Sequence, residues 1–293
     1  MFSHFSLLIS HFFVQHQTDP TYLNEAVYQD TADLDIRTII LERHRSHPQS
    51  WYQWLFAQLR LPMNGRILEL GSGPGDLWLE NWPHISPTWK VVVSDLSAGM
   101  VAAAKRKIGR CQQKESRTSF HFAVLDTTAL PFPPHHFDAV LAFGLLDHLP
   151  HRKQVVTEIQ RVLTPGGQFY ASAGGRTHLQ ELEALMRPFL PDVNYGGDPA
   201  RFGLQNGAEL LSPFFTDIQL SRYPNELVFH EPEPVMVYAL SEAEVRERLT
   251  ADKLTAFQQH VQQQLANHGE IRVTIEKGIF WGIARDDIKI LRY

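Results

Sequence analysis

The residues best placed to do chemistry gather around one glycine cluster. Positions 67–78 read ILELGSGPGDLW, with Gly71, Gly73 and Gly75 between an apolar pentapeptide and an amphipathic stretch. Glycines at that spacing suit a tight turn that lets a ligand approach the backbone closely. A helix opening at Asp76 would turn its first N–H groups toward an anionic part of that ligand. In the dinucleotide fingerprint G-x-G-x-x-G/A the last small residue falls at the position held here by Asp76, whose carboxylate would face a pyrophosphate. The pattern is instead G-x-G-x-G, which favours a cofactor without pyrophosphate and counts against a nicotinamide oxidoreductase.

Three more positions extend the constellation. Asp95 closes the valine-rich run KVVVSD and stands where a carboxylate can accept hydrogen bonds from both ribose hydroxyls. Asp126, in VLDTTALPF, could accept from an exocyclic amine such as that of adenine, or could be a turn residue. His148 follows the apolar run FDAVLAF, where a group titrating near neutrality could act as a base or cap a turn. His148 and His151 could share a helix face, but no third ligand is evident, so no metal is expected. The bland readings are core for Trp78 and Trp82, a solvated loop for His135 and His136, and a solvated helix end for ERHRSH at 42–47.

The elements that must position these residues follow from periodicity. Strands are expected at 66–70, 90–94, 121–125, 137–143 and 168–172, with helices at 76–82, 97–110 and 153–163, the last ended by Pro165-Gly166-Gly167. Alternation of this kind predicts a doubly wound α/β fold with a parallel sheet. Ligands of such sheets bind at the carboxyl ends of the strands. Two helices separated at Pro48 precede the sheet, between Asp33 and Leu61. Beyond Ser172 the alternation breaks down. A helix is expected at 178–190, strands at 217–223 and 279–284, and between them HEPEPVMVYAL and a long polar helix at 242–267, the best candidate for a cap.

Composition bounds the classes. The chain has 293 residues, 43% hydrophobic and 20% charged, as globular proteins do. A net charge of −5 argues against a nucleic-acid partner. The single cysteine, Cys111, excludes an internal disulfide framework and a cysteine-based zinc site. The apolar start MFSHFSLLIS lacks the basic region of a secretory signal and is too short for a bilayer span. A poorly ordered extension over 1–20 and a soluble cytoplasmic protein without a membrane partner are expected.

Taken together, ELGSGPG, VVVSDLS, LDTTALPF, FDAVLAFGLLDHL and VLTPGGQFY, spread over about residues 65–175, resemble the class I S-adenosylmethionine-dependent methyltransferases. The resemblance implies a Rossmann-like seven-stranded sheet whose last strand is antiparallel. It implies a cofactor site of Glu69, Gly71, Ser72, Gly73, Gly75, Asp95, Leu96, Met100, Asp126, Thr127 and Phe143. In it the glycines line the methionine and ribose, Asp95 holds the ribose and Asp126 the adenine amine. The quinone-type C-methylase branch often shows a His where His148 stands. Tyr22 and Tyr28 become candidate acceptor contacts, and Phe143 a candidate face for the sulfonium. The implied layout is N-terminal helices over the site at 21–62, a cofactor-binding core at 63–175, and the rest of the sheet at 176–293 with a cap near 231–270.

These readings converge on methyl transfer from S-adenosylmethionine, with S-adenosylhomocysteine as product, to a small-molecule acceptor at O, N or C, by a monomer or homodimer. An RNA or protein methyltransferase is the alternative within the class; the segment GLLDHL lacks the Asn/Asp-Pro-Pro-aromatic pattern of nucleic-acid amino-methylases. A non-catalytic S-adenosylmethionine-binding regulatory protein is the alternative outside it.

Overall fold

The computed structural model describes residues 32–113, 118–195 and 201–285. Tyr22, Tyr28 and the expected extension over 1–20 lie outside the described residues.

The described strands are β1 (Arg66–Leu70), β2 (Lys90–Asp95), β3 (Ser119–Val124), β4 (Phe137–Ala142), β5 (Leu163–Gly174), β6 (Phe215–Phe229) and β7 (Ile271–Ala284). They form one seven-stranded sheet in the order β3-β2-β1-β4-β5-β7-β6. Strands β1 to β5 run parallel, and β7 runs antiparallel to β5. This is the α/β methyltransferase-type sheet expected above. Short apolar runs such as RILEL and KVVVSD form its centre because they are covered on both faces. Leu70 is in register with both Ser94 and Ala142, so the chain leaves β1, β2 and β4 at one level. Gly71, Asp95 and Phe143 therefore stand side by side at the carboxyl edge.

The helices between these strands are α3 (Asp76–Glu80), α4 (Ala98–Gln112) and α5 (Arg152–Val162). In α5, Val155, Ile159 and Val162 recur at helical spacing and are buried. They join a core that includes Leu68, Val140, Phe169, Phe215 and Phe280. Ser97 caps α4 by accepting a hydrogen bond from the Met100 N–H.

By contact density the chain divides into two compact units. One comprises the described residues of 51–175, 201–223 and 277–285. It holds most of the sheet together with α2 (Trp51–Gln58) and α7 (Gly207–Leu211). The other comprises those of 32–50, 176–195 and 224–276. There α1 (Ala32–His44) packs against α8 (Pro232–Leu240), and α8 packs against α10 (Ala251–His268). Helix α6 (Gln180–Met186) also packs against α10, and Phe189 meets Phe257 edge-on. Arg37 reaches Glu242 at 2.6 Å, just before α9 (Ala243–Arg248).

Three boundaries depart from expectation for local reasons. Pro165-Gly166-Gly167 follows the end of α5 at Val162, as expected, but it also forms a bulge inside β5: Phe137 pairs with Leu163, and the next pair is Ala139 with Gln168. Gly166 takes φ 71° there. The long polar helix is broken where Leu249 and Thr250 are extended, and Thr250 becomes the N-cap of α10. Strand β6 runs through Pro224 because it lies at the sheet's edge, where a missing N–H is tolerated.

Gly278 lets β7 pass close to β6. A Cβ there would lie 2.7 Å from the Ser221 carbonyl oxygen and 3.0 Å from Leu204. Gly278→Ala is expected to lower unfolding free energy by about 1–3 kcal/mol in urea titration, with the fold retained.

Candidate functional site

The chain leaves β1 at Leu70 and turns through Gly71-Ser72-Gly73-Pro74-Gly75 into α3. The three glycines have φ of 66°, 53° and 85°, the left-handed region that residues with a Cβ avoid. Two of them also admit close neighbours. A Cβ on Gly71 would meet Leu145 at 3.1 Å, and one on Gly75 would meet Ile108 at 3.0 Å and Ala104 at 3.2 Å. Gly73 differs: nothing lies within 4 Å of its Cβ direction, so its bare backbone faces open space.

Asp95 holds this loop. Its Oδ2 accepts the Gly73 N–H at 2.9 Å and its Oδ1 accepts the Ser97 N–H at 2.9 Å. The Ser72 N–H donates to the Ser94 carbonyl at 2.9 Å. Burial raises the Asp95 carboxyl above the usual range, against the pull of the backbone donors. A carboxylate has about four acceptor positions, so both oxygens keep capacity for hydroxyl donors.

Glu69 lies on β1, two residues before Gly71, and is only 3% exposed. Its Oε2 accepts the Trp78 indole N–H at 2.5 Å. Burial, opposed by that hydrogen bond and reinforced by Asp95 and Asp76, pushes its carboxyl up to about 8. Asp76 opens α3 and meets Lys107 at 3.3 Å. The expectation of an anion at this helix start is therefore revised. The helix has five residues, and its first position already carries a carboxylate. The loop is ringed by Glu69, Asp76 and Asp95, which suits a cationic ligand.

The other expected residues fall along the same edge. Leu96 and Val124 are exposed large apolar side chains following β2 and ending β3. Asp126 is exposed, and its Oδ1 accepts from both the N–H and the hydroxyl of Thr128, closing an Asx turn. Thr127 is half-buried, whereas Met100, on α4, is buried. After β4, Phe143 is half-buried, and the Gly144 N–H donates to Ser172 Oγ at 2.9 Å. His148 is half-buried, with its Nε2 3.6 Å from Asp147 Oδ2. Asp147 Oδ1 is buried and has no partner among the described residues. Tyr22 and Tyr28 cannot be placed, since they lie outside those residues.

Sequence reasoning missed the Trp78–Glu69 bond, since the two residues sit on a helix and a strand. It also missed the roles of ERHRSH and the histidine pair. His44 Nδ1 lies 3.2 Å from the Val228 carbonyl, and Arg45 bridges to Leu227, so that segment is docked. His136 stacks on Phe132, and His135 Nδ1 lies 3.1 Å from the Leu163 carbonyl. Among the described residues no group of three or more His, Cys, Asp or Glu could hold a metal ion. No helix among them is long and apolar enough to cross a membrane.

A methyltransferase-domain family model matches residues 68–171, the stretch that carries all of these loops. That match, with the motifs it spans, supports a class I S-adenosylmethionine-dependent methyltransferase domain over these residues. The chain is 31% identical over 119 residues to the ubiquinone/menaquinone biosynthesis C-methyltransferase UbiE of Pseudomonas aeruginosa, covering 40% of this chain and 45% of that protein. The chain thus spans less than half the length of the curated relatives it matches. Phosphoethanolamine N-methyltransferase 2 of Haemonchus contortus, solved with S-adenosylmethionine, has the same fold: TM-score 0.55, 19% identity, 93% of this chain and 61% of that one. So does the [4+2]-cyclase SpnF, with TM-score 0.53, 16% identity, 91% of this chain and 97% of that one. The residues of the methyltransferase domain fit its cofactor. Open space over Gly73 gives room, Asp95 offers acceptors for hydroxyls, and Glu69 offers a carboxylate to a cationic end.

Glu69 makes stability depend on pH. Its carboxyl ionises at about 8 when folded and near 4.5 when free, so the folded chain holds the extra proton between those values. The stabilisation is full below 4.5 and is lost as pH rises through 8. Glu69→Gln is expected to be more stable than the natural chain at pH 8, by about 2–4 kcal/mol, with little difference at pH 4. Urea unfolding at the two pH values checks this.

Proposed function

We propose that the protein transfers a methyl group from S-adenosylmethionine to a small-molecule acceptor. The observation that carries this is Asp95, bonded to the Gly73 N–H on one side and the Ser97 N–H on the other, at the edge where Gly73 stands open. Bound, the cofactor supplies a methyl carbon activated by a positive sulfur. The chain's own task is to hold the two reactants in line and keep water out.

Asp95 would hold the ribose and Asp126 the adenine amine through the oxygen that the Asx turn leaves uncommitted. Leu96 and Val124 offer apolar cover for the base. Glu69 would meet the ammonium of the methionine end. Phe143 and the Gly144 turn, held by Ser172, would stand beside the reacting methyl. His148, whose Nε2 lies 3.6 Å from Asp147 Oδ2, would take the proton of an acceptor that loses one.

A small acceptor is supported by the net charge of −5 and by the likeness to UbiE, whose name assigns it C-methylation in quinone biosynthesis. A quinone-type ring is the first acceptor class this suggests, and O, N and C acceptors all belong in the screen. The same reading places the protein in the cytoplasm, as a monomer or homodimer without nucleic-acid or membrane partners.

The test is label transfer from methyl-tritiated S-adenosylmethionine to pools of small phenols and quinols, amines and hydroxy acids. Label in a low-mass product is expected, with His148→Gln slowing transfer about 100-fold or more for a proton-losing acceptor. Label recovered only in RNA or protein would overturn the small-molecule reading. Cofactor binding with no transfer to any acceptor would favour a regulatory protein.

A further inference from the structure

Trp78 has a bland role available to it. It is fully buried and packs edge-on against Phe120 at 5.5 Å between ring centroids. Packing alone, however, does not require the indole nitrogen to point at a carboxylate. The Trp78 Nε1–H donates to Glu69 Oε2 at 2.5 Å. The bond joins the first strand to the helix that leaves the glycine loop. The same helix is fixed to that loop by the Trp78 N–H to the Gly75 carbonyl. Glu69, the loop and Trp78 therefore form one rigid piece.

Two further carboxylates act on Glu69. Asp95 faces it from the end of β2, and Asp76 faces it from α3. Burial raises the Tyr52 phenol on α2, and Asp76, Glu69 and Glu80 raise it further. Lys107 pairs with Asp76 at 3.3 Å. Among the described residues the Trp78 indole is the sole hydrogen-bond donor to the Glu69 side chain. It fixes one oxygen and leaves the other uncommitted.

We propose that Trp78 is a positioning residue of the cofactor site: its indole N–H fixes one oxygen of Glu69 so that the other meets the positively charged end of the cofactor. This rests on the reading that the cofactor is S-adenosylmethionine. It adds that the carboxylate is not free to rotate, and that a cationic ligand displaces the proton Glu69 carries near neutral pH. Removing the N–H raises the Glu69 carboxyl further, because that hydrogen bond is the one influence lowering it.

The test has two parts. The indole N–H resonances of the six tryptophans are followed by nitrogen–proton NMR of the whole chain from pH 6.5 to 9.5. One resonance, assigned to Trp78 by through-bond correlation, is expected to shift with a midpoint near 8. No titrating indole would overturn the proposal, and this arm needs no variant to fold. Calorimetric titration with S-adenosylmethionine at pH 7.5 then compares the natural chain, Trp78→Phe, Glu69→Gln and the double variant. Trp78→Phe is expected to weaken binding about tenfold, and by less than twofold once Glu69 is already Gln. Equal losses in both backgrounds would show that Trp78 acts by packing alone and would overturn the proposal. A folded natural chain that binds no S-adenosylmethionine while its Trp78 indole titrates would instead overturn the cofactor reading, and the role toward the cofactor with it.

Discussion

The carboxylate of Asp95 is the contact on which the site depends. It accepts N–H groups from the glycine loop and from the start of α4, and its own carbonyl accepts the Leu125 N–H beyond β3. Three segments that follow three different strands are thereby set against one another. The arrangement works only with glycine at 73, where φ is 53° and the backbone must turn its N–H to the carboxylate. Parallel pairing in register supplies the rest, by ending β1, β2 and β4 at one level. Placing this carboxylate under partial cover is unfavourable, and the backbone donors, Ser97 and Gly73 among them, offset only part of that penalty.

Charge gives the site its character. Glu69, Asp76 and Asp95 converge on a loop too short-helixed to act as an anion cradle, and Lys107 balances one of them. A buried carboxyl held at about 8 works against folding at high pH, an expense that packing alone would not favour. Such groups persist where a ligand needs them. The sheet itself does not decide the reaction, since a [4+2]-cyclase and an N-methyltransferase both share it.

Much of the core was legible because its signals are local. RILEL followed by glycines and KVVVS followed by Asp could be read directly, and β1 and β2 match to within a residue. The antiparallel seventh strand came from the family resemblance. Features set by long-range pairing were not legible. The β5 bulge depends on register with β4, and the docking of ERHRSH depends on residues 225–228, far along the chain. Trp78 looked like a core residue and is one; only the helix geometry shows that its indole reaches Glu69. The second compact unit has no contiguous signature because it is assembled from separate stretches of sequence.

The most direct measurement is calorimetric titration of the purified chain with S-adenosylhomocysteine, with Asp95→Ala alongside. Micromolar binding by the natural chain, lost in Asp95→Ala while the variant stays folded, is the result predicted here. Absence of binding to the folded natural chain, or equal affinity in both proteins, would contradict the assignment of this edge as the cofactor site.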